Sequence, residues 1–201
     1  MAADKNQTDI VEAMLKFTNK RIDDYLFKKC RNMNYIRIPS IINYIGNDAF
    51  CECTQLKEVI IPPSVNRIGR FAFCGCKLLE KVVLPTSLTY LGKGAFGDCE
   101  EITEILIPAS LPLIRDSTFG KCNKLRYVYF QAPSSLTKIE GLAFTSCNSL
   151  KEIEIPSSVK TIENKAFFQC YSLNKVTIHS NSVDVGKEAF PPRTKVIKCN
   201  S

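Results

Sequence analysis

The sequence of 201 residues predicts a strand-dominated solenoid of the α/β repeat class, with about seven coils of 23 residues. Three observations carry that prediction. Phenylalanine recurs at Phe27, Phe50, Phe73, Phe96, Phe119, Phe144, Phe167 and Phe190, with gaps of 23, 23, 23, 23, 25, 23 and 23 residues. A cysteine stands three residues after each of the first seven, at Cys30, Cys53, Cys76, Cys99, Cys122, Cys147 and Cys170. Between them returns a short β-branched run closed by proline, as in Val59-Ile60-Ile61-Pro62. A fixed period of this length means one strand per coil, with each coil burying its apolar side against its neighbours.

In chain order, residues 1–7 are polar, and Ile10, Val11, Met14 and Leu15 follow helical spacing. Asp9 with Glu12 three residues on makes a capping box, so an amphipathic helix is expected over Asp9 to Asn19. Ile22 to Cys30 reads as a degenerate half-coil. Residues 1–30 would then be a helical cap and 31–201 one continuous solenoid.

The opening strands of the seven coils carry Tyr35-Ile36-Arg37-Ile38, Val59-Ile60-Ile61, Val82-Val83-Leu84, Ile105-Leu106-Ile107, Val128-Tyr129-Phe130, Ile153-Glu154-Ile155 and Val176-Thr177-Ile178. Alternation turns Val59 and Ile61 inward and Ile60 outward. Proline after the strand cannot donate to a ladder, so it turns the chain. A second extended piece, Ser64 to Gly69, places Val65 and Ile68 inside and assigns Gly69 to a turn. The third side, Ala72-Phe73-Cys74-Gly75-Cys76, reads as a helical turn that buries Ala72, Phe73 and Cys76 together. Coils stacked about 4.8 Å apart make a rod about 40 Å long.

Two departures stand out. The Phe130 coil carries two extra residues around Gln131-Ala132-Pro133-Ser134 and lacks the proline directly after its strand. The last coil ends Phe190-Pro191-Pro192, and the 23-residue period aligns Val196 and Cys199 with Leu173 and Val176 as a partial eighth strand.

The repeated pattern L-x-x-V-x-I-P-x-S-V-x-x-I-G-x-x-A-F-x-x-C, covering roughly Met33 to Phe190, resembles the BspA-type leucine-rich repeats, also called the Treponema pallidum type. That resemblance implies a right-handed leucine-rich-repeat solenoid with a strand-lined face. It implies binding of host matrix or other proteins, as in bacterial surface adhesins and parasitic protists, and it implies no catalytic residues.

Composition narrows the function further. The net charge of +7 is diffuse, and aromatics do not alternate with a basic stripe, which argues against nucleic acid. No stretch approaches the 18 apolar residues of a membrane span. The N-terminal residues carry acids and lack an apolar secretory core. A cytoplasmic address is expected on that basis, with the cell surface as the alternative by resemblance. His179, the sole histidine, occupies a slot that proline fills in most coils, and no nucleophile elbow, phosphate loop or zincin motif occurs. No enzyme and no cofactor are expected.

The functional lead is the outward side of the opening strands. One ladder reads Arg37, Ile60, Val83, Leu106, Tyr129, Glu154, Thr177, and its neighbour reads Tyr35, Glu58, Lys81, Glu104, Tyr127, Glu152, Lys175. Ile60, Val83, Leu106 and Tyr129 make an apolar stripe facing solvent, and such patches mark interaction sites. Tyr35, Arg37, Ile60, Val83, Leu106, Tyr127 and Tyr129 are the candidate residues for binding another protein. The alternative is a thiol or zinc protein built on Cys51, Cys53, Cys74 and Cys76, two C-x-C pairs on stacked coils.

Overall fold

The computed structural model describes residues 20–199, so the expected helix over Asp9 to Asn19 lies outside the described residues. Every described element is a short strand, and turns join them. The opening strands are β2 (Tyr35–Arg37), β4 (Glu58–Ile60), β6 (Lys81–Val82), β8 (Glu104–Ile107), β10 (Tyr127–Phe130), β12 (Glu152–Ile155), β14 (Lys175–Ile178) and β16 (Lys195–Lys198). Between them run two-residue second strands: β1 (Arg21–Ile22), β3 (Tyr44–Ile45), β5 (Arg67–Ile68), β7 (Tyr90–Leu91), β9 (Leu113–Ile114), β11 (Lys138–Ile139), β13 (Thr161–Ile162) and β15 (Asp184–Val185). All pairing is parallel between successive coils, as a solenoid requires.

The inward residues form one continuous core. Leu56, Val65, Ile68, Ala72, Phe73 and Cys76 are fully enclosed, and Val59 and Ile61 are buried beside them, as alternation predicts. The phenylalanines stack face to face along the rod, with Phe50 and Phe73 5.0 Å apart at 4° and Phe73 and Phe96 5.2 Å apart at 4°. Each ring touches the coil on both sides, so the ladder glues the repeats together.

The third side is not a helical turn. Cys74 N–H donates to Phe71 O at 3.1 Å and Cys76 N–H to Phe73 O at 3.2 Å, which makes two successive tight turns. The intervening amides instead cross to the next coil, Phe73 N–H to Ala95 O and Gly75 N–H to Gly97 O, both at 2.8 Å. Positive φ falls at Phe71, 53°, the first residue of the first turn, and at Gly75, 73°, inside the second, and the amides between turn donors point to the neighbour. Half of the polar groups that a helix would satisfy internally therefore bind coil to coil.

Glycine directly after the second strand also serves stacking. A Cβ on Gly69 would lie 2.6 Å from the backbone nitrogen of Asn47, so this position needs close approach of two backbones rather than turn conformation.

The eighth strand exists, but three residues out of the expected register. Val196 pairs with Val176 and Lys195 with Lys175, an offset of 20 residues. Phe190-Pro191-Pro192 lacks the cysteine and the residues that complete the third side elsewhere, so the last coil is cut short.

Candidate interaction face

The outward positions of the opening strands lie where alternation puts them. Leu106 pairs with Tyr129 and Glu104 with Tyr127, so both ladders run in register across β8 and β10. Arg37 pairs with Ile60 and Tyr35 with Glu58 across β2 and β4. Val83 follows directly on the paired Val82. Val83 is 76% exposed and Leu106, Tyr127 and Tyr129 are each 51% exposed, while Ile60 and Tyr35 are half-buried and Arg37 is exposed. The Tyr35 side chain bonds to Arg37 and raises its pKa.

This face is not one sheet. Ladder pairing is interrupted between β6 and β8 and again between β10 and β12. The stripe is thus divided, with Ile60 and Val83 on one plate and Leu106 and Tyr129 on the next.

The second interruption opens a cleft that the sequence did not announce. It holds about 450 Å³, floored by Val128, Phe130 and Ile153 and walled by Tyr127 and Tyr129 on one side and Glu152 and Glu154 on the other. The opening is confined to this face. On the second side β11 still pairs with β13, and Phe144 and Phe167 remain stacked at 5.0 Å. The two extra residues near Pro133 fall directly after β10, and they are the signal that could have located it. His179 sits at one end of the cleft, its Nε2 3.7 Å from a Glu154 carboxylate oxygen.

The cysteines do something the sequence reading missed. From Cys53 on, each lattice thiol donates to the carbonyl of a phenylalanine in the preceding coil, among them Cys76 to Phe50 at 3.2 Å, Cys99 to Phe73 at 3.2 Å, Cys122 to Phe96 at 3.3 Å and Cys170 to Phe144 at 2.9 Å. They are free thiols, and burial pushes Cys99, Cys122 and Cys147 well above the ordinary thiol pKa.

The Cys51, Cys53, Cys74 and Cys76 set does not form a metal centre. Among the described residues no group of three or more His, Cys, Asp or Glu side chains is placed to hold a metal ion. Cys53 and Cys76 are turned into the core and engaged with Phe27 O and Phe50 O. Burial raises the pKa of Cys51 to about 12 and raises that of Cys74, which opposes the thiolate that zinc requires.

Comparison with known proteins agrees with this architecture. The family model for the BspA type leucine rich repeat region matches residues 20–132 and 129–200, in six copies. A solved leucine-rich repeat protein from Bacteroides ovatus is 32% identical with a TM-score of 0.78, over 89% of this chain and 48% of that one. One from Eubacterium ventriosum is 23% identical with a TM-score of 0.76, over 86% of this chain and 46% of that one, and shows the fold alone. A leucine rich cell surface protein from Faecalibacterium prausnitzii is 25% identical with a TM-score of 0.55, over 89% of this chain and 64% of that one. The chain thus spans about half the length of the first two. No curated protein matches it.

Proposed function

The chain belongs to the BspA-type leucine-rich-repeat family, and from that premise we propose that it is a non-enzymatic protein-binding module of the adhesion type, acting through the outward face of its opening strands. One observation supports this reading above the rest. Val83, Leu106 and Tyr129 stand half to three-quarters exposed on a face whose inward neighbours, Val82, Ile105 and Val128, already fill the core. Burial within the chain gives these side chains no role, and exposed apolar clusters rimmed by Tyr and Arg are what partner surfaces use. The rim here is Tyr35, Arg37 and Tyr127. The partner is another protein, either a matrix protein outside the cell or a soluble one inside it. The cell-surface relative from Faecalibacterium prausnitzii favours the surface address.

The test is a double variant. Val83→Ser with Leu106→Ser removes two exposed side chains and leaves the core intact. Affinity for a partner captured with the wild-type chain should fall by about thirtyfold. The matched control Phe168→Ser with Tyr171→Ser removes two apolar side chains from the third side, where they are 40% and 77% exposed, and should bind as wild type does. Equal affinity of wild type and the Val83/Leu106 variant would overturn the reading.

A further inference from the structure

We infer that the cleft between β10 and β12 receives a lysine or arginine side chain of the partner protein, an inference that rests on the strand-lined face being the binding surface. The argument begins with its shape. The coils of Phe144 and Phe167 remain packed at their core and paired on their second side, so the cleft is a wedge that opens only outward. Phe130 is the part-exposed apolar side chain of its lining, set beside the nearly enclosed Val128 and Ile153, and gives the methylene stem of a long side chain an apolar contact. Its volume of about 450 Å³ admits such a side chain together with water.

The walls decide the charge. On one side the Tyr127 and Tyr129 rings lie 6.1 Å apart at 12°, a paired aromatic surface. On the other stand Glu152 and Glu154, with 67% and 75% of their side chains exposed. The contacts they already make are weak: Lys175 Nζ is 3.8 Å from Glu152 and His179 Nε2 is 3.7 Å from Glu154. Exposed pairs of that length contribute little and can be exchanged for a better donor. An anion would meet two carboxylates, and an apolar side chain would strip them of water without replacement. A cation satisfies both walls at once, its methylene stem against the tyrosine rings and its donors on the carboxylates. Arginine fits better than lysine because its planar fork can serve a ring and a carboxylate together.

The experiment uses the whole chain, isotope-labelled, and the capped tripeptide acetyl-Gly-Arg-Gly-amide, with the Gln and Glu counterparts as controls. NMR titration should move the signals of Tyr127, Tyr129, Phe130 and Ile153. The Arg peptide should bind at least tenfold more tightly than the Gln peptide, and the Glu peptide should not bind. The double variant Glu152→Gln with Glu154→Gln should erase the preference for Arg over Gln. Val83→Ser with Leu106→Ser lies outside the cleft and should leave peptide binding unchanged. Equal binding of the Arg and Gln peptides, or shifts away from the cleft, would overturn the inference. If that happens while the Val83/Leu106 variant still loses its protein partner, the cleft assignment fails and the binding face stands. If the Arg peptide binds as expected and that variant keeps its partner, the cleft stands and the stripe fails.

Discussion

Phe96 and Phe119 stand 6.0 Å apart, ring centre to ring centre, against 5.0 Å for Phe50 with Phe73 and 5.2 Å for Phe73 with Phe96. The same interface loses ladder pairing on both strand sides, between β6 and β8 and between β7 and β9. One residue of the Phe119 coil bears on the second loss. Pro112 occupies the slot where Asn66 and Thr89 donate their amides to the preceding coil, and proline has no N–H to give. Arg115 occupies the slot of Gly69 and Gly92, which Glu140 and Glu163 fill in the next two coils with the ladder intact, so the side chain at this slot is not the cause. The Arg115 guanidinium lies 4.4 Å from the Tyr90 ring centroid, opposite Arg67 at 4.2 Å. The rod therefore has a seam at this point, held by the core and the third side.

Amide exchange should reveal that seam. Glu80 donates its amide to Lys57 O at 3.0 Å and Arg126 donates to Thr103 O at 2.8 Å. Thr103 occupies the same position in the Phe119 coil, where the ladder is interrupted. Its amide should exchange at least about tenfold faster than those of Glu80 and Arg126, because local opening there breaks no ladder bond. Equal protection at the three sites would mean that the seam is closed in solution.

The thiol ladder gives a second expectation. Cys99 is fully enclosed and donates to Phe73 O at 3.2 Å. Cys99→Ala loses a small apolar volume and one weak hydrogen bond, so stability should fall by about 1–2 kcal/mol in chemical denaturation. Reductant should leave the wild-type melting temperature unchanged, since the cysteines are free thiols. A reductant-dependent drop would show that disulfides form along the ladder.

The 23-residue recurrence of Phe50, Phe73 and Phe96 and the alternation in Val59-Ile60-Ile61 were enough to place the core and the outward stripe, because both patterns are local. What stayed hidden depends on contacts between coils. Gly69 looks like a turn residue until the backbone of Asn47 is seen 2.6 Å from its missing Cβ. Cys76 looks like a small hydrophobe, because burial and thiol donation to Phe50 O select the same residue. Pro112 is plain in the sequence, yet its effect requires knowing which amides donate across coils. The outward tyrosines of the candidate site were legible from alternation. The cleft beside them was not, since it is set by a gap between β10 and β12.

Glu163 carries a pH dependence. Its carboxylate accepts from Lys138 Nζ and from Gly141 N–H at 2.8 Å, and these bonds, the lysine's first, hold its pKa below the usual carboxylate value. A depressed folded pKa means stability that is fully present above the unfolded pKa, about 4.3, and lost as pH falls through the folded one. The side chain is 39% exposed, so screening limits the effect. Glu163→Gln should cost less than about 1 kcal/mol at pH 7, and the difference from wild type should close as pH drops toward 3. A difference that stays constant from pH 7 to pH 3 would show that the charge is irrelevant.

The glycine ladder sets the last expectation. At Gly69 an added methyl would lie 2.6 Å from Asn47 N and 2.7 Å from Gly46 C, both backbone atoms fixed by the coil below. Neither can move without disturbing the Gly69 N–H to Ile45 O bond of 2.8 Å, which joins the same two coils. Gly69→Ala must therefore push these two coils apart, and should cost about 1–3 kcal/mol. Gly97 is the contrast. Its φ lies outside the left-handed region, and the nearest atoms to an added Cβ are 3.4 Å away. Gly97→Ala should be neutral, or stabilising by up to about 1 kcal/mol, because it narrows the unfolded ensemble. Denaturation of the two variants side by side decides the matter. If Gly69→Ala is as stable as Gly97→Ala, the coils have room to spare, and glycine at this slot reflects the turn after all.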